Sequence, residues 1–373
     1  MISAAPAVQG ARLTAGGATS RETRPRLRSV AVGWREAWTA AAYGPGGFYA
    51  RGEAPAAHFR TSVHASPLFA GAIGTLLDRV DAALDRPDPL DLVDVGAGRG
   101  ELLAAVAAAD RPYRDRLRLL AVEVGPLVGP GVTVVRDVAD LPPVTGLLVA
   151  NEWLDDVPLD VVEQTTDGPR LVLVDAGGAE SPGPAPDPAD RAWLDRWWPL
   201  AEPGDRAEVG RPRDHAWAAA VGRIDRGVAV AIDYGHEATG RPVGGTLAGY
   251  RAGALVPPVP DGRANLTAHV ALDSVAAAGR AAGAGDTRLD DQRTALLTLG
   301  VDPRRPPVNR ARTDPEGYVR ALARAGEAAE LTDRSGLGAF RWLVQGVGIT
   351  VPFPPAATRA RVRRAPAPRP PGS

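Results

Sequence analysis

The chain has 373 residues, 44 acidic residues, 43 basic residues that are all arginine, and a formal net charge of −1 at pH 7. This balance gives no electrostatic basis for bulk nucleic-acid binding. The absence of cysteine excludes disulfides, thiolate zinc sites and cysteine nucleophiles, and the five histidines show no paired metal-ligand spacing, so we predict no metal site.

The two ends of the chain differ in composition from its centre. Residues 1–28 are rich in Ala, Thr and Arg with a single acid, and we expect a disordered leader, with a transit peptide as the alternative. Residues 351–373 are rich in Pro and Arg and are predicted to form a disordered tail. No stretch has the apolar length of a membrane helix or the apolar core of a secretory signal, so we expect a soluble, cytoplasmic protein.

Apolar patterning over the first 150 residues predicts an alternation of helices and strands. Helices are predicted over 32–42 and from Pro67 to Leu84, where apolar residues recur at helical spacing. Short apolar, β-branched runs predict strands over 90–95, 119–122, 132–135 and 146–150, with a helix over 102–109 after the first of them. This order predicts an α/β fold with a parallel sheet.

The alternation ends after residue 150, where we predict an insertion. Trp193, Trp197 and Trp198 lie on a predicted helix, and tryptophans at such spacing favour core packing over a ligand platform. The other predicted elements are a hairpin over 159–164 and 171–175, a Gly- and Pro-rich loop over 177–188, strands over 227–233 and 340–346, and helices over 269–282, 289–299 and 315–329.

The first predicted strand runs into three glycines at alternate positions, Gly96, Gly98 and Gly100, with Asp94 before them. Such glycines let the backbone approach a ligand closely where a strand turns into a helix. In the dinucleotide fingerprint the third glycine comes three positions after the second, whereas here Glu101 fills that position, so S-adenosylmethionine (SAM) is favoured over NAD. Asp94 is then expected near the amino group of the ligand.

A second carboxylate, Glu123, ends the predicted strand over 119–122. A carboxylate at the tip of the neighbouring strand can accept hydrogen bonds from both hydroxyls of a ribose. The alternative for these two acids is a helix cap at Asp94 and a solvated loop charge at Glu123.

Ligands of an open parallel sheet lie outside the carboxyl ends of its strands, so polar residues there are the candidates for a site. Asp137 follows the third strand and is either an acceptor for an adenine amino group or a turn residue. The run from Asn151 to Pro158 joins an amide, three carboxylates and an indole; its alternative is a helix capped by Asn151 with solvated acids. Asp233 and Tyr234 end a further strand.

Five segments taken together resemble the class I methyltransferases related to MidA and to the mitochondrial complex I assembly arginine methyltransferase. The resemblance extends from about residue 44 to residue 346. The segments are Leu92–Leu102, Ala150–Pro158, Asp233–Gly235, Thr246–Arg251 and Leu266–Val270.

The resemblance assigns roles to individual residues. It implies that Gly96, Gly98, Gly100 and Glu123 bind SAM, and Thr61 and Ser62 resemble the segment that closes over the cofactor in this family. It implies that three residues lie beside the methyl acceptor as candidate catalytic residues: Asn151, Glu152 and Asp155.

The resemblance implies a SAM-dependent methyltransferase acting on a protein arginine, with a protein substrate as partner and no nucleic acid. Glu152 and Asp155 would then bind the guanidinium through paired charge-assisted hydrogen bonds. Two alternatives remain, a small-molecule methyltransferase of the same fold and a non-catalytic assembly factor. The intact glycines and acids argue against the second.

The expected fold is α/β, a doubly wound Rossmann-like class I methyltransferase sheet with an insertion after the fourth strand. We expect an amino-terminal helical cap over residues 29–88 and a SAM-binding domain over 89–158 and 225–350. Residues 159–224 would form the inserted subdomain. The sequence predicts no oligomeric state.

Overall fold

The computed structural model describes residues 30–49, 62–126 and 129–353. The predicted leader, Thr61 and residues 354–373 of the predicted tail lie outside these ranges. The helices of the described residues are α1 (Trp34–Tyr43), α2 (Ser62–Ala65), α3 (Pro67–Ala83), α4 (Glu101–Ala108), α5 (Pro188–Trp197), α6 (Arg211–Val221), α7 (Leu272–Ala281), α8 (Gln292–Thr298), α9 (Arg310–Thr313) and α10 (Pro315–Leu331).

The strands of the same residues fall into one central sheet and three smaller ones. In chain order they are β1 (Val32–Gly33), β2 (Leu90–Val95), β3 (Leu117–Val122), β4 (Val132–Val135), β5 (Val144–Asn151), β6 (Val161–Thr165), β7 (Gly168–Val174), β8 (Glu180–Pro182), β9 (Arg206–Glu208), β10 (Ile224–Asp233), β11 (Gly235–His236), β12 (Ala248–Arg251), β13 (Ala254–Val256), β14 (Asn265–Thr267), β15 (Val270–Ala271), β16 (Asp286–Asp291) and β17 (Arg341–Val347).

The central sheet has the strand order β16-β17-β10-β5-β2-β3-β4. From β4 to β10 neighbouring strands pair in parallel, and β17 pairs antiparallel with both β10 and β16. The chain therefore runs outward from β2 through β3 to β4 and then returns to the other side of β2 with β5. The prediction of an α/β fold with a largely parallel sheet is confirmed. A ligand site is expected at the carboxyl ends of β2 and β5, where the strand order reverses.

Apolar side chains cover both faces of this sheet. On one face, Ile73 and Leu77 of α3 share a core with residues of α4, α8 and α10. On the other face, Trp217 of α6 and Val275 of α7 pack against Leu148 of β5. All six residues of β2 are buried, as expected for a central strand enclosed between two helical layers.

A second sheet, of order β1-β7-β6-β9 with β8 beside β7, is built mainly from residues that follow β5. Trp34 and Trp38 of α1 pack against Val161 and Val172 of this sheet. Within the predicted cap, α1 and β1 thus pack on the insertion, whereas α3 packs on the central sheet. Trp193 and Trp198 are buried in a separate core with β6 and β9, as their spacing predicted.

The helix predicted over 289–299 is wrong at its start, because residues 286–291 form the edge strand β16. This segment has a single apolar residue, Leu289, so the alternation that marks a strand is missing and pairing with β17 decides its conformation. Asp291 then caps α8 by accepting a hydrogen bond from the Thr294 amide at 2.6 Å. Smaller corrections concern α1, which begins at 34 rather than 32, α7, which begins at 272 rather than 269, and β8, which lies inside the predicted loop.

Within the part of the chain that the structure describes, the helices are all too short or too polar to cross a membrane.

Candidate active site

A cavity of about 850 Å³ lies at the carboxyl ends of β2, β3 and β5. It brings together seven of the residues singled out in the sequence: Asp94, Gly96, Gly98, Glu123, Asp137, Asn151 and Glu152. Ser62, Gly100 and Asp155 adjoin these residues without being part of the lining, and Thr61 is outside the described residues.

The glycine loop turns tightly between β2 and α4. Gly96 and Gly98 adopt φ angles of +75° and +57°, in the left-handed region that favours glycine. A Cβ on Gly96 would lie 3.0 Å from Cδ1 of Trp153, so a side chain there would strain the backbone and crowd the indole. Gly100, also left-handed, is the N-cap residue of α4. Backbone atoms of the loop therefore face the cavity without side chains that cover them, as close approach by a ligand requires.

Glu123 holds this loop in place through its side chain. Its Oε2 accepts a hydrogen bond from the Gly98 amide and its Oε1 one from the Gly125 amide, each at 2.7 Å. Each oxygen of a carboxylate has two lone pairs, so both oxygens can still accept a ribose hydroxyl. The residue present fits the ribose of a nucleoside ligand, and its charge would repel a 2′-phosphate.

Asp94 lies at the base of the loop and is 5 % exposed. Burial, with smaller contributions from Glu123 and Glu101, raises the pKa of Asp94 to about 7. An ammonium group beside it would favour the ionised form. Asp137 is exposed and caps a short 3-10 turn by accepting from the Ala139 amide at 2.8 Å, so it is a turn residue that also lines the cavity.

Glu152 follows β5 directly and adopts a φ of 52°, unusual for a residue with a side chain. Its amide continues the sheet by donating to the Ile232 carbonyl at 2.8 Å. Its Oε1 accepts from the Ser62 amide at 2.9 Å and from Asn151 Nδ2 at 3.1 Å. Withdrawal from water raises the pKa of Glu152 to about 8. Asn151 thus orients Glu152, and it caps no helix, because residues 152–158 form turns.

Asp155 occupies a different place from the one the sequence predicts. It is buried beneath the cavity, where its Oδ2 accepts from Thr267 Oγ1 at 2.7 Å and from the Tyr234 hydroxyl. Asp233, also buried, accepts from the Leu154 amide at 3.0 Å, and burial together with Asp155 raises the pKa of Asp233 well above its ordinary range. This network braces the loop after β5.

Arg213 of α6 fixes the same loop from the side of the insertion. Its guanidinium is 1 % exposed and donates to the carbonyls of Asp155 (2.6 Å), Ala268 (2.8 Å), His269 (2.9 Å) and Val157 (3.2 Å). Four backbone acceptors from two segments are thereby satisfied by one side chain.

Tyr43 and Tyr49 line the cavity but were not predicted as site residues, and Asp156 was part of the candidate run from Asn151 to Pro158 without a role of its own. The Tyr49 hydroxyl donates to Asp156 Oδ2, and Asn265 Nδ2 donates to Asp156 Oδ1 at 2.9 Å. Tyr43 ends α1 and Tyr49 follows the glycine-rich turn after it, and no local pattern marks either of them. Only the tertiary contact between α1, the insertion and β14 brings them to the cavity.

The cavity is rich in acid. Its lining includes six carboxylic acids against two arginines. The acids are Asp94, Glu101, Glu123, Asp137, Glu152 and Asp156, and the arginines are Arg99 and Arg136. Such a lining favours a ligand with positive charge.

Comparison with known proteins agrees with this geometry. Residues 130–287 match a family model described as "Putative S-adenosyl-L-methionine-dependent methyltransferase". A crystal structure of a "likely methyl transferase" from Burkholderia thailandensis, bound to S-adenosyl-homocysteine, is 23% identical over 87% of this chain and 91% of its own, with a TM-score of 0.71. These findings support a SAM-dependent methyltransferase.

A second crystal structure from Burkholderia thailandensis, of an uncharacterized protein, is 22% identical over 87% of this chain and 90% of its own, with a TM-score of 0.71. At this identity the likeness shows the fold, which is of class I. No curated protein is significantly similar to the chain. SAM is the cofactor that the family match and the fold support.

Proposed function

We propose that the protein transfers the methyl group of SAM to a guanidinium nitrogen of a protein arginine. The observation that carries the proposal is the position of Glu152, whose carboxylate lines the same cavity as the glycine loop and Glu123. The order of the five segments, which resembles that of the MidA-like methyltransferases, and the excess of acids in the lining both support it.

In this proposal the lining residues hold the cofactor through backbone and carboxylates. Gly96, Gly98 and Gly100 provide bare backbone, and Glu123 accepts the ribose hydroxyls. Asp94 lies near the amino group and Asp137 near the adenine. The doubly wound, Rossmann-like domain over 89–158 and 225–350 would supply these residues, and the insertion over 159–224 would shape the acceptor side.

SAM supplies an electrophilic methyl group on a positively charged sulfur that leaves as a neutral thioether when the new nitrogen–carbon bond forms. The protein has to align the nucleophilic nitrogen with the methyl group and to accept the proton that this nitrogen loses. Glu152, oriented by Asn151 and the Ser62 amide, accepts a hydrogen bond from the guanidinium and takes the proton that the nitrogen loses. Its raised pKa suits this role, since a base is most effective when its pKa lies near the working pH.

Two measurements test the proposal. Calorimetry with SAM on the full chain should show binding, and no binding at high micromolar SAM would leave a scaffold protein as the remaining function. Methyl-labelled SAM in a host lysate, followed by mass spectrometry, should place the label on protein arginine. Label found only in small molecules would refute the protein substrate while preserving the methyltransferase.

A further inference from the structure

The part of the cavity beside Asp156 is built from three segments far apart in the chain. Tyr43 and Tyr49 come from the end of α1 and the turn after it, Asp156 from the loop after β5, and Asn265 from β14. We call Tyr43, Tyr49, Asp156 and Asn265 the tyrosine–aspartate cluster.

Asp156 is held in position by uncharged hydrogen-bond donors. Each of its oxygens accepts one hydrogen bond, from the Tyr49 hydroxyl and from Asn265, and both donors are uncharged. Among the described residues it forms no ion pair. Burial, followed by repulsion from Asp155, raises the pKa of Asp156 well above its ordinary range. A carboxyl group in these surroundings is best stabilised by a cation that enters from the cavity.

The aromatic part of the cluster is supported in a similar way. The Tyr43 ring stacks on the Tyr49 ring at 5.3 Å between centroids with 21° between planes, and buried Phe48 packs edge-on against Tyr49. Tyr43 itself remains 42 % exposed. A fixed aromatic face next to a carboxylate suits a guanidinium, which is planar, stacks on rings and carries several donors.

Tyr43 also connects the cavity with the outer surface. Its ring borders a shallow groove of about 500 Å³ along α1, which Arg35, Glu36 and Thr39 also line. A side chain that enters the cavity past Tyr43 can therefore remain attached to a polypeptide lying outside.

We propose that the tyrosine–aspartate cluster binds the acceptor guanidinium, with Asp156 accepting its N–H groups and the Tyr43 ring stacking on its plane. This inference rests on the proposed function and adds a division of labour between two carboxylates. Glu152 takes the proton, whereas Asp156 becomes ionised beside the bound guanidinium and fixes the orientation of its plane. Tyr49 and Asn265 hold Asp156 in position.

The test uses the full chain saturated with S-adenosylhomocysteine and three blocked pentapeptides of glycine with one central residue. That residue is arginine, citrulline or lysine. Citrulline keeps the planar shape of arginine but has no charge, and lysine keeps the charge but is not planar. We expect the arginine peptide to bind at least about tenfold more tightly than either of the others, as a charge-assisted hydrogen bond predicts.

Asp156→Asn removes the charge and keeps nearly the same shape. We expect it to abolish most of the preference for arginine over citrulline, while the affinity for S-adenosylhomocysteine stays within about threefold. Asp195→Asn, at an exposed acid on α5, is the matched control and should keep the preference. Tyr43→Ala should weaken arginine binding about threefold to tenfold, whereas Tyr43→Phe keeps the ring and should not.

The outcomes separate the two proposals. Unchanged arginine preference in Asp156→Asn, with methyl transfer to arginine intact, overturns the cluster and leaves the proposed function standing. Should that variant unfold, unchanged affinity of Tyr43→Ala for the arginine peptide overturns the cluster as well, since the Tyr43 side chain is partly exposed and its loss can be tolerated. Tighter binding of the lysine peptide overturns the guanidinium assignment. No binding of S-adenosylhomocysteine by the unaltered chain refutes the proposed function itself.

Discussion

The two sides of the cavity are built by different means. The glycine loop and Glu123 lie within 28 residues of one another and meet through backbone amides, so the cofactor side is a local structure. The proposed acceptor side includes Tyr43, Glu152, Asp156 and Asn265, which come near one another because three parts of the fold pack together. One local sequence motif therefore specifies the cofactor side, whereas the acceptor side depends on contacts between distant parts of the chain.

The two sides also treat negative charge differently. Glu123 receives two backbone N–H groups, which compensate its charge in the unliganded protein. Glu152 receives an amide and a side-chain amide on a single oxygen, and its pKa is still raised to about 8. The proposed acceptor side thus holds carboxyl groups whose ionised form a cationic ligand would stabilise.

We expect Glu152→Gln to have the largest effect and to distinguish the acceptor side from the cofactor side. The amide keeps the shape but cannot take a proton, so we expect methyl transfer to fall at least about a hundredfold. Affinity for S-adenosylhomocysteine, measured by calorimetry, should stay within about threefold. Equal losses of transfer and cofactor affinity would place Glu152 on the cofactor side and break the distinction.

The converse change on the cofactor side is Glu123→Gln. We expect it to weaken S-adenosylhomocysteine binding by roughly tenfold to a hundredfold, because charge-assisted bonds to the ribose and to the loop amides are lost. The turnover rate at saturating SAM should change much less. Unaltered affinity would show that Glu123 only shapes the loop.

The pH dependence tests the charge on the acceptor side. The raised pKa of Glu152 means that the base is protonated, and inactive, below about pH 8 in the free enzyme. We therefore expect kcat/KM for methyl transfer, measured at limiting SAM, to rise at least about tenfold from pH 6 to pH 7, where Asp94 with its pKa of about 7 also ionises, and to level off above pH 8. A flat profile from pH 6 to pH 9 would contradict a role for Glu152 as base.

The smallest effect is expected at the rim of the cofactor side. Asp137→Ala removes one exposed acceptor for an adenine amino group and the cap of a short turn, so affinity for S-adenosylhomocysteine should fall less than about tenfold. The S-adenosylhomocysteine analogue with hypoxanthine in place of adenine provides the control. If the variant loses equal affinity for both nucleosides, Asp137 acts only as a turn residue.

The sequence predicted the parallel strands closely because they are short, apolar and flanked by turn signals, as in Leu90–Val95. The prediction from sequence was wrong at β16, an edge strand with one apolar side chain. Pairing with β17, rather than a pattern of apolar residues, fixes the conformation of this segment. Helix ends shifted by up to three residues for the same reason.

The residues of the candidate site also differ in how far the sequence could predict them. Gly96, Gly98 and Glu123 could be found because a tight turn requires glycine and a strand tip requires a polar residue. The resemblance assigned Asp155 to the site, whereas in the structure Asp156 lines the cavity and Asp155 does not. Both follow Glu152 in an irregular loop, and this loop is held by contacts such as that of Arg213 with the Asp155 carbonyl, which comes from a helix 58 residues away and leaves no local signal in the sequence.

Arg213 also limits which changes of sequence the fold tolerates. Deleting α6 would not merely trim the surface, since it would leave four interior carbonyls without donors, at about 1 to 3 kcal/mol for each. Lysine at position 213 has three donors for four acceptors and no planar fork. Residues 211–221 can therefore be exchanged only for a segment that again supplies donors to these four carbonyls.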